Sequence, residues 1–543
     1  MKISDLKNSG HAPSLFSAFL HFDISFMVWV IFGALMPFIS TDVSLTGLNL
    51  KVTPTAAITR PGQFTLVIKG PQSVKDNPKL KSSQPRNVAN LIIKPGDPSV
   101  ATSNAVKPLE KFVVNTTDPA TIALVNATSK YIRIEAAPGA TRSPYENVIA
   151  LKPASMLGAT GFQGVATGYP AALKLGLVGL PLLAAGFWRI LLGVLADRFG
   201  SKRVGVASML CTLIPLYVGY AYGTTYDSLV FMGLFLGLAG ASFAVSLPLA
   251  SRWYPPHLQG IAMGIAGAGN SGTVVATIFA PILARTYGWH GVFALLMIPV
   301  TLALVTFALM AKDAPNAPKP ASARDYAAVF GQSDAYTFCL LYFVTFGGFV
   351  GLSTFMNTFF VDQFDAPKAA VGMWTWPFII AGSLLRPVGG ALSDKIGGIR
   401  MLTILYSLAV VAAIGVGLSI TNQPVVCTLL FVLMGALGMG NGSVFQMVPQ
   451  RFRKQIGVMT GLVGAAGGVG GYYLNFALGH LHDISGSYAT GFYAFAAIAV
   501  VAAITLIVVA PSWQRSWLGK GGVAQDSAHI PEGRVLIGAG EAI

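Results

Sequence analysis

The sequence predicts an all-α membrane protein, with twelve spanning helices in two groups of six and a β-rich insertion after the first. Three observations carry this. The chain has 543 residues, 53% hydrophobic and only 10% charged, with mean hydropathy +0.63; soluble domains carry about 25% charged residues. Apolar runs of spanning length fall at 17–39, 170–196, 203–224, 228–250, 258–284, 288–311, 334–361, 367–393, 399–420, 424–447, 456–480 and 487–510. A shift of 197 residues superimposes GVLADRFG (193–200) on GALSDKIG (390–397), and Gly260, Gly264 and Gly267 on Gly457, Gly461 and Gly464.

Residues 1–40 are read as a cytoplasmic N-terminus and span 1. That run is too long for a signal peptide and lacks a small-residue cleavage site. Residues 41–168 form an insertion with no spanning run, rich in Pro, Gly, Ser, Thr and Asn. Its runs FTLVIKG (64–70), NLIIKPG (90–96), KFVVNTT (111–117) and YIRIEAA (131–137) suggest an external domain, β-rich or partly ordered, of about four to six strands. It holds 14 Lys/Arg and 7 Asp/Glu. Long loops cross membranes largely regardless of charge, so this excess is read as solubilising.

Spans 2–6 (169–311) complete the first bundle, 312–333 is a cytoplasmic linker, 334–510 is the second bundle, and 511–543 is a cytoplasmic tail. The formal charge of +15 is spread over alternate loops, at Arg198, Lys202, Arg203, Arg252, Lys312, Lys319, Arg324, Lys395, Arg400, Arg451, Arg453, Lys454, Arg515 and Lys520. That distribution excludes a nucleic-acid footprint and places both termini in the cytoplasm. Cys211, Cys339 and Cys427 lie in spans without metal-like spacing, so they are read as packing residues. No metal site, cofactor motif or catalytic constellation is evident, and an enzyme is not expected.

Two intramembrane arginines carry the chemistry. Arg189 and Arg386 each precede by eight residues the aspartate of a G-x-L-x-D-x-x-G turn, made by Gly193, Asp197, Arg198 and Gly200 in one half and Gly390, Asp394, Lys395 and Gly397 in the other. Eight helical residues rise about 12 Å, which puts both guanidiniums near the middle of a hydrocarbon layer roughly 30 Å thick. An arginine there costs about 2.5–3.5 kcal/mol even on the lenient scale. The spans offer few acids to pair with them; Asp23 is the one carboxylate clearly inside a span. A small anion held between the halves would supply the counter-charge, and planar oxyanions suit bidentate guanidinium geometry.

Spans 5 and 11 hold GIAMGIAGAGNSGTVVA (260–276) and GVMTGLVGAAGGVGGYYLNFALG (457–479). Glycine at this density is costly in a helix and fits helices that approach closely or slide. Gly267, Gly269, Gly272, Gly464, Gly467, Gly468 and Gly471 are expected along the translocation path. Asn270 stands where the other half has Gly467, offering one amide to an anion oxygen or to a neighbouring helix.

Parallel six-helix repeats with a midplane site are the major-facilitator arrangement. The segments FDISFMVWVIFGAL (22–35), GFWRILLGVLADRFG (186–200), GLAGASFAVSLPLASRWYPPHLQG (237–260), GAGNSG (267–272), LLYFVTFGGFVGLSTF (340–355), GSLLRPVGGALSDKIGG (382–398) and ALGMGNGSVFQMVPQRFRKQIGVMTGLVGAAGGVGG (436–471) make the resemblance narrower. The chain resembles the nitrate/nitrite porter (NarK/NasA-type) family of the major facilitator superfamily. The resemblance implies a fold of twelve transmembrane helices in a bacterial inner membrane, and a monomer binding nitrate and nitrite. It implies that Arg189 and Arg386 clamp nitrate, that Asn270 bonds an oxygen, that Phe243 and Phe346 sandwich the anion, and that Tyr342 hydrogen-bonds nearby. FDISFMVW resembles the proton-coupled subgroup, with Asp23 as a proton-coupling residue or a solvated interfacial one. Nitrate/proton symport is the expectation. Nitrate/nitrite exchange, transport of another small anion such as formate or oxalate, and a nitrate receptor built on the insertion are the alternatives.

Overall fold

The computed structural model describes residues 10–40, 42, 171–254, 262, 265–315, 323–452 and 456–523, with six strands between 48 and 166. The chain divides into two compact units, Ile39–Tyr169 and the remainder.

The first unit holds two three-stranded antiparallel sheets. One has strand order β4-β1-β6, from Phe112–Thr116, Leu48–Val52 and Phe162–Ala166. The other has order β3-β2-β5, from Arg86–Ile93, Gly62–Ile68 and Ile132–Ala136. The four runs singled out in the sequence fall on β2 to β5. The first and last strands in sequence, β1 and β6, pair with each other, Leu48 facing Ala166.

The second unit is helical. The described residues of all twelve sequence spans lie mainly on helices, and nine helices among the described residues are long and apolar enough to cross a membrane. One of the nine, Ile265–Met310, contains two spans and turns at Gly288 (φ 70°, ψ 162°). The helices Gly372–Ile396 and Ile456–Ser485 supply spans 8 and 11.

Departures from straight helices sit where the sequence is densest in small residues. Span 4 is Tyr226–Gly240 followed by Phe243–Ser251, with a turn at Ala241 and Ser242. Span 5 tightens into a 3₁₀ turn at Ala268–Ser271. The linker contains a short helix, Ala323–Phe330, and span 12 runs on to Ser516. Beyond it, Leu518 is fully buried and Gly522 lies against Ile399, so the tail begins as an ordered clasp on the turn between spans 8 and 9.

Both loop motifs turn on glycines in the left-handed region, Gly200 (φ 90°, ψ 144°) and Gly397 (φ 95°, ψ 138°). Such values favour glycine, so the repeat extends to backbone conformation. The surroundings differ between halves. Asp197 pairs with Arg252 at 2.6 Å, whereas Asp394 is exposed. Arg451 pairs with Asp334 at 2.5 Å, and Trp513 donates to the same carboxylate at 2.8 Å.

Span 1 begins at an imidazole cap. His11 Nδ1 accepts the backbone N–H of Ser14 at 3.1 Å. Burial, and then the charge of Lys312, hold this ring's pKa below its usual 6.5. The cap needs the neutral ring, so its contribution is full above pH 6.5 and is lost as pH falls through the lower folded value. His11→Ala is expected to cost about 1 kcal/mol of stability at neutral pH. Thermal melts across pH should show that difference narrowing in acid.

The two halves of the helical unit close against each other at the end where span 2 begins. Lys174 on span 2 pairs with Asp362 on span 7, and Tyr488 donates to that carboxylate at 2.8 Å. Asp483 on span 11 accepts the first backbone N–H groups of span 2, Ala171 at 2.9 Å and Ala172 at 2.8 Å. A Cβ built on Gly267 or Gly461 would have nothing within 4 Å.

Candidate functional site

Arg189 is 2% exposed on span 2. Its Nε donates to Gly240 O at 3.1 Å and its NH1 to Gly464 O at 2.6 Å. The turn in span 4 explains the first bond. In a regular helix Gly240 O would accept from Ala244 N; here Ala244 N bonds Ala241 O at 2.9 Å instead, leaving Gly240 O for the guanidinium. The third nitrogen, NH2, is buried and has no partner among the described residues. Among the described residues no carboxylate pairs with Arg189 or Arg386. A buried guanidinium with a free donor and no counter-ion is an incomplete arrangement.

Aromatic rings wall this charge. The Arg189 Cζ lies 5.1 Å from the Trp29 ring, 5.2 Å from Phe346 and 5.8 Å from Phe243. Phe346 stacks on Tyr342, with centroids 5.0 Å apart and planes 5° from parallel. Both rings, on span 7, pack against span 11 at Gly467, where a Cβ would come within 2.7 Å of Phe346 and 2.8 Å of Tyr342.

Arg386 reaches the same cluster from span 8. Its Cζ lies 5.6 Å from the Phe445 ring, which packs edge-on against Tyr342 at 5.0 Å and near Phe243 at 6.4 Å. Tyr342 interacts electrostatically with both arginines. The pseudo-symmetry is imperfect, since Arg386 is only half-buried and makes no backbone bond like those of Arg189. Spans 1, 2, 4, 7, 8, 10 and 11 thus converge on two guanidiniums and five rings.

The remaining sequence-selected residues fall elsewhere. Asn270 is buried in the 3₁₀ turn with its Oδ1 unpartnered, and no hydrogen bond joins it to either arginine. Its neighbour Ser271 donates to Asp23 Oδ1 at 2.5 Å, so the carboxylate of span 1 is tied to span 5 beside that amide. Gly269 and Gly272 pack on the backbone of span 1 at Asp23. Gly468 and Gly471 pack on Leu182 of span 2, and Gly464 lies beside the Arg189 side chain. Gly193 and Gly390 have little against them. Arg198 lies over Phe199, and Lys395 is exposed. Trp29 and Phe445 were not singled out in the sequence. Trp29 lies in the quoted span 1 motif, and Phe445 follows the glycines of GMGNGSVF. Among the described residues no His, Cys, Asp and Glu group could hold a metal ion, and the three cysteines are free thiols.

Residues 146–474 match the family model described as Major Facilitator Superfamily. A protein of Bacillus subtilis (strain 168) named nitrite extrusion protein is 31% identical over 331 residues, 61% of this chain and 83% of that one. A probable nitrate/nitrite transporter, NarK2, of Mycobacterium tuberculosis (strain H37Rv) is 35% identical over 336 residues, 60% of this chain and 84% of that one. The chain belongs to the nitrate/nitrite porter family of the major facilitator superfamily. It is a multi-pass membrane protein of a family of transporters. A probable nitrate transporter, NarT, of Staphylococcus epidermidis (strain RP62A) is 31% identical, covering 61% of this chain and 85% of that one.

Proposed function

We propose that this porter-family member imports nitrate across a bacterial inner membrane by alternating access, with both termini in the cytoplasm. The observation that carries this reading is Arg189, buried, with no acidic partner and no NH2 partner among the described residues, and walled by rings of the cluster that Arg386 also reaches. A planar monovalent oxyanion completes that arrangement. It accepts from both guanidiniums, offsets their mutual repulsion and lies flat between aromatic faces such as Phe243 and Phe346. Tyr342 and Asn270 supply further donors as the halves close. An empty site leaves two like charges facing each other in low dielectric, so occupancy favours closure.

Transport against a negative-inside potential needs a driving ion. We assign nitrate/proton symport, because Asp23 places a carboxylate within span 1 and ties it to the turn that holds Asn270. A second reading, nitrate/nitrite exchange, is favoured by a relative named a probable nitrate/nitrite antiporter, NarK1, of Thermus thermophilus, 31% identical over 54% of this chain and 73% of that one. Flux into proteoliposomes separates the two. Symport gives nitrate-induced proton uptake without internal nitrite. Strict dependence on trans nitrite with no proton movement would replace it by exchange, and preference for formate or oxalate over nitrate would remove nitrate as the substrate.

A further inference from the structure

Outside the arginine cage, span 1 buries an imidazole with half of its hydrogen-bonding capacity unused. His21 is 0% exposed. Its Nδ1 lies 2.7 Å from Ser246 Oγ on span 4, and its ring packs on Phe307 of span 6 with centroids 4.7 Å apart. Among the described residues its buried Nε2 has no partner. Phe307 belongs to an apolar cluster with Leu15, Ala18, Val245 and Leu249. When Nδ1–H donates to Ser246, the Nε2 lone pair is left as an unused acceptor.

The charged groups on the surrounding elements bond elsewhere. Asp23, on the same span, accepts from Ser271. Arg189 on span 2 bonds two carbonyls, and Arg252 at the end of span 4 pairs with Asp197. Asp313, beyond span 6, accepts from Lys202 N at 3.1 Å. Lys312, beside it, donates its backbone N–H to Ser14 Oγ, and no bond joins it, Lys202 or Arg203 to the ring. An imidazolium packed as seen here would be a buried cation without a counter-ion, a costly state.

We infer that His21 binds the coupling proton. Nε2 takes a proton from water when span 1 separates from spans 4 and 6, and returns it to water when they pack together. The structure, closed where span 2 begins, holds the ring in its proton-free packing. Two contacts link this ring to the anion site. Phe22, the next residue, packs on Phe243 with centroids 5.9 Å apart. Ser246 lies one helical turn from Phe243, whose ring is 5.8 Å from the Arg189 Cζ. Sliding span 1 against span 4 therefore moves a wall of the nitrate site. This assignment rests on the symport reading above and names His21 Nε2, rather than the Asp23 carboxylate, as the atom that carries the proton.

The test uses full-length protein in proteoliposomes with a pH-sensitive dye. Wild type is expected to take up protons when nitrate is added outside. His21→Gln is expected to lose that uptake, and with it nitrate accumulation driven by a pH gradient, while nitrate counterflow persists and shows a folded carrier. Ser246→Ala breaks the same pin but keeps the imidazole, and is expected to remain coupled with its pH profile moved to lower pH. Coupled wild type with equally coupled His21→Gln overturns the assignment and leaves symport standing. Loss of coupling in Ser246→Ala as complete as in His21→Gln also overturns it, because the pin and not the proton would then matter. Wild type without proton movement overturns both the assignment and symport.

Discussion

Arg189→Lys is expected to abolish nitrate transport and to destabilise the fold as well. A lysine offers one compact ammonium where the guanidinium now serves Gly240 O, Gly464 O and an open third position. Charge-assisted hydrogen bonds contribute about 1.5–3 kcal/mol each, so each one lost to the anion lowers its affinity about 10- to 100-fold. A carbonyl left bare in the core costs a further 1–3 kcal/mol or so of stability. Arg386→Lys is expected to match the transport loss without the stability loss, because Arg386 is half-buried and holds no such carbonyls. Nitrate flux at matched expression, with thermal melts of the purified variants, checks both halves. Normal uptake by either variant would remove the two-arginine clamp.

Gly442→Ala should be nearly as damaging, although the added methyl touches no anion. A Cβ there would lie 2.1 Å from Arg386 O, so span 10 must move off span 8 at the residue that carries the second guanidinium. Overpacking of this kind costs about 1–3 kcal/mol, and a misplacement of about 1 Å at a positioned group costs on the order of 100-fold in rate. Gly461→Ala is the matched control. Its Cβ would meet nothing within 4 Å, and alanine is the better helix former by about 1 kcal/mol, so near-normal flux and a slightly raised melting temperature are expected. Equal damage from both substitutions would show that helix flexibility, not the spacing of spans 8 and 10, is what transport needs.

The spans and the repeat were legible because hydrocarbon thickness imposes run length and because the 197-residue shift carries Gly200 onto Gly397, two glycines with nearly the same positive φ. Arg189 and Arg386 were legible because charge is conspicuous against an apolar background. The cage around them was not. In a bundle surrounded by lipid, residues facing the core and residues facing outwards are both apolar, so sequence periodicity does not tell the fully buried Trp29 from the exposed Phe187. Phe445 was hidden for the same reason. The turn at Ala241–Ser242 was also silent, since GLAGASFA reads as one more glycine-rich helix, yet it frees the carbonyl that holds Arg189. In the insertion, β1 and β6 were missed because LNLKV and FQGVA lack the sustained β-branched or aromatic alternation of the runs between them.

The pairing of β1 with β6 bears on how such a chain could be rebuilt. Leu48 and Ala166 are direct partners, and antiparallel partners stand about 4.5–5.5 Å apart. The two ends of the module therefore stand side by side, so a few residues of Gly-Ser linker could stitch Leu48 to Ala166 once the residues between them are cut out. Such a graft point lets this module be excised, or exchanged for a reporter, while the covalent order of the twelve spans is kept.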